Sequence, residues 1–107
     1  MRRGEIWWVC YDPLQGTEIQ KTRPSVIVSA DDSNDILSRV QVVPVTSNTK
    51  KFYPSESPVI VGGKKGKAMA NQLRTVDKFR LKSRIGKLSE REMADIEKAI
   101  KTQLELD

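Results

Sequence analysis

Histidine is absent from the 107 residues, which removes at once the commonest general acid or base near neutral pH and the commonest metal ligand. With a single cysteine, only carboxylates remain to bind a metal, and the acids form no dense, regularly spaced cluster such as a calcium loop requires. The sequence therefore predicts no metal site and no cofactor. A nucleotide-binding loop is missing too. Gly62-Gly63-Lys64-Lys65-Gly66-Lys67 lacks the necessary spacing and reads as the tip of a hairpin. Cys10 has no partner for an intrachain disulfide. Within the apolar run Ile6-Trp7-Trp8-Val9-Cys10 it reads as a buried thiol of a reducing compartment, which points to the cytoplasm. No apolar stretch reaches the length of a signal-peptide core or a membrane span, so neither a leader nor a membrane association is expected.

What is present suits one domain spanning residues 1–107, long enough for a modest core without disulfides or metals. The formal charge of +5 is unevenly spread. Residues 50–91 hold 12 lysines and arginines against 3 acids, a balance of +9 that leaves −4 elsewhere. Such a stretch attracts polyanions, of which a phosphate backbone is the commonest, although a charge run alone is equally well a solvated face.

There is no internal repeat or low-complexity tract. Gly4–Tyr11 reads as a strand ending at Asp12-Pro13, followed by a polar loop from Leu14 to Pro24. Pro24 holds Arg23 extended at the junction of that loop with the next strand. Ser25–Ala30 and Val40–Val45 read as central strands separated by a turn at Asp31–Asp35. Pro58–Val61 and Lys67–Ala70 form a hairpin around a basic tip at Gly62–Gly66, and Thr75–Leu81 adds a short strand. Ser89 followed by Glu92 is a capping box, with Leu88 and Met93 placed as a hydrophobic staple. Met93, Ile96, Ile100 and Leu104 then repeat at helical spacing. About five to seven strands and a C-terminal helix predict a small curled sheet or barrel of α+β class.

The remaining polar residues cluster at strand ends: Glu18, Gln20, Lys21, Thr22 and Arg23 in one loop, Thr46, Ser47 and Asn48 after a strand, and Asn71, Gln72 and Arg74 after another. RNA cleavage suits a site built of these. The substrate brings its own nucleophile, the 2′-hydroxyl, and the protein need only move protons and stabilise charge on phosphorus. An arginine fork (Arg23), a threonine hydroxyl (Thr46) and a carboxylate (Glu18) fit those roles. On spacing alone plainer readings prevail: Arg23 pairs with a surface acid, Thr46 ends its strand, and Glu18 is a solvated loop residue.

The order of several segments changes that balance. Arg3-Gly4-Glu5-Ile6-Trp7 runs into Asp12-Pro13. Gly16-Thr17-Glu18 leads to Lys21-Thr22-Arg23-Pro24, Val26–Ser29 and Val42-Val43-Pro44-Val45-Thr46-Ser47. Gln72–Lys78 and Arg84–Leu88 precede the terminal helix. In this order the chain resembles the MazF/PemK family, the mRNA interferases of type II toxin–antitoxin pairs. The resemblance implies an SH3-like barrel, a homodimer, and sequence-specific, metal-independent cleavage of single-stranded RNA that leaves 2′,3′-cyclic phosphate and 5′-hydroxyl ends and halts translation. It also implies a cognate antitoxin lying along the same groove. Arg23 matches the family's cleavage-site arginine, Thr46 its threonine at the scissile phosphate, and Glu18 an acidic position important in some members. Gln72 and Arg74 lie in the segment that helps line the RNA groove, although a conformational role suits Arg74 equally. Some relatives carry a histidine where Thr17 stands and an aspartate where Asn71 stands, so proton transfer falls to Arg23 and Glu18. An arginine with a pKa above about 12 is a poor acid or base.

Phe52 and Tyr53 are the candidates for stacking on bases, or else cover the barrel mouth. Trp7 and Trp8 must point in opposite directions on their strand, one into the core and the other toward a dimer partner. Two other readings remain: a gyrase-poisoning toxin of the same barrel fold, and an RNA-binding module without catalysis.

Overall fold

The computed structural model describes residues 1–11 and 21–107; Glu18, Gln20 and the rest of the segment between lie outside the described residues. The described elements are β1 (Glu5–Cys10), β2 (Thr22–Ile27), α1 (Asp31–Ile36), β3 (Arg39–Thr46), β4 (Glu56–Val61), β5 (Lys64–Met69), β6 (Arg74–Asp77), β7 (Leu81–Lys87) and α2 (Glu90–Leu104). The strands form one curled antiparallel sheet in the order β4-β5-β3-β2-β1-β7, with β6 paired to β3. Strand β3 organises it. One edge of β3 carries β2, while the other carries β6 along Arg39–Val42 and β5 at Val45–Thr46.

Both faces of β3 are buried, which is why Val42-Val43-Pro44-Val45 reads as a continuous apolar run rather than an alternation. Val43 and Val45 join Ile6, Val26, Val59, Ala68, Leu88, Met93 and Ile96 in one cluster, which includes the inner face of α2. Val40 and Val42 join Val9, Ile27, Val76 and Leu81 in a second cluster on the opposite face, with Trp7 and Tyr11 packed against it. Each fully buried Val or Ile contributes about 1.5–3 kcal/mol, so the two clusters dominate stability.

The capping box of α2 forms as expected, with Ser89 Oγ accepting from the Glu92 amide and the Glu92 carboxylate accepting from the Ser89 amide. Glu92 also accepts from the Ile60 amide at 2.8 Å, which ties the edge strand β4 to the helix. Leu88 and Met93 are both buried. The apolar stripe ends earlier than its spacing suggests, since Ala99 is buried and Leu104 is half exposed.

Four expectations are corrected. Asp31–Asp35 winds into the short helix α1 instead of a plain turn, because Asn34 is buried there and its side-chain amide donates to the Ser29 carbonyl at 3.0 Å. The hairpin tip is tighter than expected. Gly62 and Gly63 alone form the turn, with φ of +56° and +80°, as a two-residue hairpin requires, and Lys64, Lys65 and Gly66 belong to β5. The short strand after residue 74 is two strands, β6 and β7, with a 3₁₀ turn at Lys78–Arg80 between them. Strand β7 lies at the sheet edge, where charged residues keep edges from pairing, so Lys82, Arg84 and Lys87 hid its periodicity. Cys10 is half-buried rather than enclosed.

Candidate active site

Strand pairing decides which side chains meet. In β1 and β2 the register Val9↔Arg23 and Trp8↔Pro24 puts each pair on a common face. Val9 belongs to the second cluster, so Arg23 and Ser25 share its face with Tyr11. Ser25 pairs with Pro44 across β2 and β3, and the same register carried two residues further sets Arg23 beside Thr46. Arg74, paired with Val42, projects on that face as well. The end of β1, the start of β2, the end of β3 and the start of β6 thus bring Tyr11, Arg23, Thr46 and Arg74 to one end of the sheet.

Contacts tie this group together. The Tyr11 amide donates to the Lys21 carbonyl at 3.0 Å. The Tyr11 and Ser25 hydroxyls share a short hydrogen bond. Ser25 Oγ reaches the Arg23 carbonyl at 3.4 Å, and the Arg74 guanidinium stands 5.0 Å from the Tyr11 ring centroid. Burial pushes the Tyr11 phenol above its usual pKa, while the hydrogen bond with Ser25 and the charges of Arg74 and Arg23 pull it down less strongly. Among the described residues no ion pair or hydrogen bond engages the Arg23 guanidinium. The Thr46 hydroxyl oxygen accepts from the Asn48 amide at 3.3 Å, which leaves its proton free to donate outward.

A cleft of about 630 Å³ opens beside the same strand ends. Trp8, Pro24, Val45, Val61 and Ile85 give it apolar walls, and Lys21, Arg23, Lys64 and Lys65 give it positive charge, with Thr22, Thr46, Ser47 and Gly66 between. No carboxylate stands among these described lining residues, so none of them repels an anion entering the cleft. Its apolar walls belong to the face of the first cluster, opposite the Tyr11–Arg74 group, and Arg23 and Thr46 border both. Trp8, expected to face either core or partner, is 41% exposed in this cleft, whereas Trp7 is half-buried and donates to Glu5 at 3.1 Å.

The other expected residues are placed as follows. Lys21, Thr22 and Ser47 line the cleft with Arg23 and Thr46. Glu18 and Gln20 lie outside the described residues. Asn48 folds back on its own turn, its side chain accepting from the Lys50 amide at 3.2 Å. Gln72 donates to Met69 Sδ at 3.6 Å. Asn71 donates to Glu56 at 3.3 Å. Glu56 in turn pairs with Lys67 at 2.8 Å and accepts from the Tyr53 amide at 2.9 Å. Burial raises the pKa of Glu56, but the hydrogen bonds from Lys67, Tyr53 and Asn71 outweigh it and hold the carboxyl below the usual 4.5. Lys67 also donates to the Lys51 carbonyl at 2.6 Å, and this buried pair fixes the loop that carries Phe52 and Tyr53. Both rings are half exposed. Phe52 lines a neighbouring groove with Pro58 and Ile60, which meets the Arg23 cleft at Lys65 and Gly66. Tyr11, Ser25, Lys64 and Lys65 were not expected at the site, and Trp8 was expected to face core or partner. Alternation along β1 was the signal that could have found Tyr11.

The model of the PemK-like, MazF-like toxins of type II toxin–antitoxin systems matches residues 2–104. Endoribonuclease MazF9 of Mycobacterium tuberculosis is 42% identical, over 99% of this chain and 98% of that protein. Endoribonuclease MazF of Staphylococcus saprophyticus is 32% identical, over 99% and 92%. Among solved structures, an endoribonuclease from a mycobacterial species superposes with a TM-score of 0.78 at 25% identity, covering 99% of this chain and 92% of that one. A MazE–MazF structure from Deinococcus radiodurans superposes with a TM-score of 0.86 at 24% identity, over 100% and 97%, and shares the fold. Among the described residues no helix is long and apolar enough to cross a membrane.

Proposed function

The chain belongs to the PemK-like, MazF-like toxin family, and from that membership and the geometry at the sheet end we infer that it is an endoribonuclease toxin that cuts single-stranded RNA. The observation that carries the reading is Arg23 beside Thr46, its guanidinium without an ion pair or hydrogen bond among the described residues, at a cleft whose charged described lining residues are all cations. The 2′-hydroxyl oxygen attacks the adjacent phosphorus as its proton passes to Glu18. The bond to the 5′-oxygen breaks and that oxygen takes up a proton from solvent water, leaving a 2′,3′-cyclic phosphate and a 5′-hydroxyl. The Arg23 fork spreads two donors over the phosphoryl oxygens as charge builds there. Thr46 donates its hydroxyl proton to one of the same two non-bridging oxygens. Arg23 stays protonated throughout, so it acts by charge and geometry and not as an acid or base.

The substrate is messenger RNA in the cytoplasm, and its cleavage halts translation. The protein works as a homodimer. A cognate antitoxin carrying acidic residues covers the positive cleft and restrains it. Incubating the purified protein with a long unstructured RNA in EDTA and mapping the fragment ends tests this reading. Discrete cuts ending in cyclic phosphate support it, and intact RNA sinks it.

A further inference from the structure

The cleft on the Trp8 side is more than the reaction needs. The scissile phosphate meets Arg23 and Thr46, whose face also holds Tyr11 and Arg74. Trp8 lies on the other face, paired with Pro24, and leaves 41% of its surface open, although a tryptophan ordinarily buries most of its large apolar area. Val61 and Ile85 extend the apolar wall, and Lys64 and Lys65 stand at the rim with no ion pair among the described residues. A flat indole beside lysines, in a recess of about 630 Å³, is the combination on which single-stranded nucleic acid binds: a base stacks on the ring and the backbone follows the charge. Because Arg23 and Thr46 border both faces, a strand cut at Arg23 continues directly into this recess.

We propose that the cleft is a subsite for a nucleotide flanking the cut, its base stacked on Trp8 and its phosphate held by Lys64 and Lys65. This rests on the ribonuclease reading, but binding tests it without cleavage. In a Trp7→Phe background only Trp8 reports, and a 2′-deoxy oligonucleotide, which cannot be cut by 2′-hydroxyl attack, quenches its fluorescence. Replacing bases one at a time with abasic sites relieves the quench at one position. Should Trp7→Phe not fold, Trp8→Phe in the otherwise native chain removes the quench. Lys64→Ala with Lys65→Ala lowers the slope of log K against log salt by about 1–2. An unchanged slope together with unquenched Trp8 overturns the subsite. So does quenching by an acidic peptide but not by the oligonucleotide, which gives the cleft to a protein partner. Failure of the protein to cut RNA, with these binding results intact, counts against the ribonuclease reading alone.

Discussion

The Arg74 guanidinium lies 5.0 Å from the centre of the Tyr11 ring, and the Tyr11 hydroxyl grips Ser25 two residues from Arg23. Arg74 is thus joined to the candidate catalytic arginine through a tyrosine and a serine, and its planar fork matters more than its charge. Arg74→Lys keeps the charge but loses the plane. It is expected to reduce kcat about tenfold, since small misplacements of a catalytic group are costly. The affinity for an uncleavable oligonucleotide, and its salt slope, should stay near those of the unaltered protein. Tyr11→Phe should behave alike, and the double variant should lose less than the product of the two. A salt slope reduced by about 1 in Arg74→Ala would make Arg74 a phosphate ligand instead.

Gly66 abuts the end of β3. A Cβ built there comes within 2.9 Å of the Thr46 carbonyl oxygen and 3.1 Å of Val45 Cγ1. The first contact is with backbone, which cannot swing aside. Gly66→Ala is therefore expected to cost about 1–3 kcal/mol, read as a lowered Tm, and to displace Thr46 enough to slow cleavage. A variant with unchanged Tm and turnover would show that β3 and β5 separate freely there.

The Glu56–Lys67 pair gives a pH signature. Both side chains are nearly buried, at 4% and 9% exposure, so removing one charge strands the other, and Glu56→Gln is expected to cost about 3 kcal/mol at neutral pH. The Glu56 pKa is lowered on folding, so its contribution is present above the usual glutamate value and is lost as pH falls through the lowered folded value. Denaturant titrations should show the stability gap between the native chain and Glu56→Gln narrowing below pH 4.5. A gap constant down to pH 3 or so would contradict this linkage.

Much of the candidate site was legible because it depends on chain-local chemistry. Pro24 held Arg23 at a strand start, Thr46 closed a valine-rich strand, and the Ser89–Glu92 box announced the terminal helix. The family resemblance then singled out Arg23 and Thr46 from other polar residues. What stayed hidden depends on pairing across the sheet. Trp8 and Tyr11 differ in face, and which face carries the site follows from the β1–β2–β3 register, which no single strand reveals. Lys64 and Lys65 looked like a hairpin tip, yet the two-glycine turn draws them into β5 beside the cleft. The contact of the Asn71 amide with a carboxylate 15 positions earlier in the chain is likewise a tertiary one that local spacing does not reveal. Helix α1 owes its form to the buried Asn34, a tertiary demand that overrides the turn preference of its aspartates.

The central claim is that Arg23 at this sheet end drives attack by the substrate's own 2′-hydroxyl. The most direct test uses a set of DNA oligonucleotides carrying one ribonucleotide each, placed within a sequence the protein cuts, together with the native chain and Arg23→Ala. The account predicts a single cut 3′ of that ribonucleotide when it occupies the scissile position, none when the position is deoxy, and none with Arg23→Ala. Cleavage of the all-deoxy strand, or an Arg23→Ala protein that cuts as fast as the native chain, would contradict it.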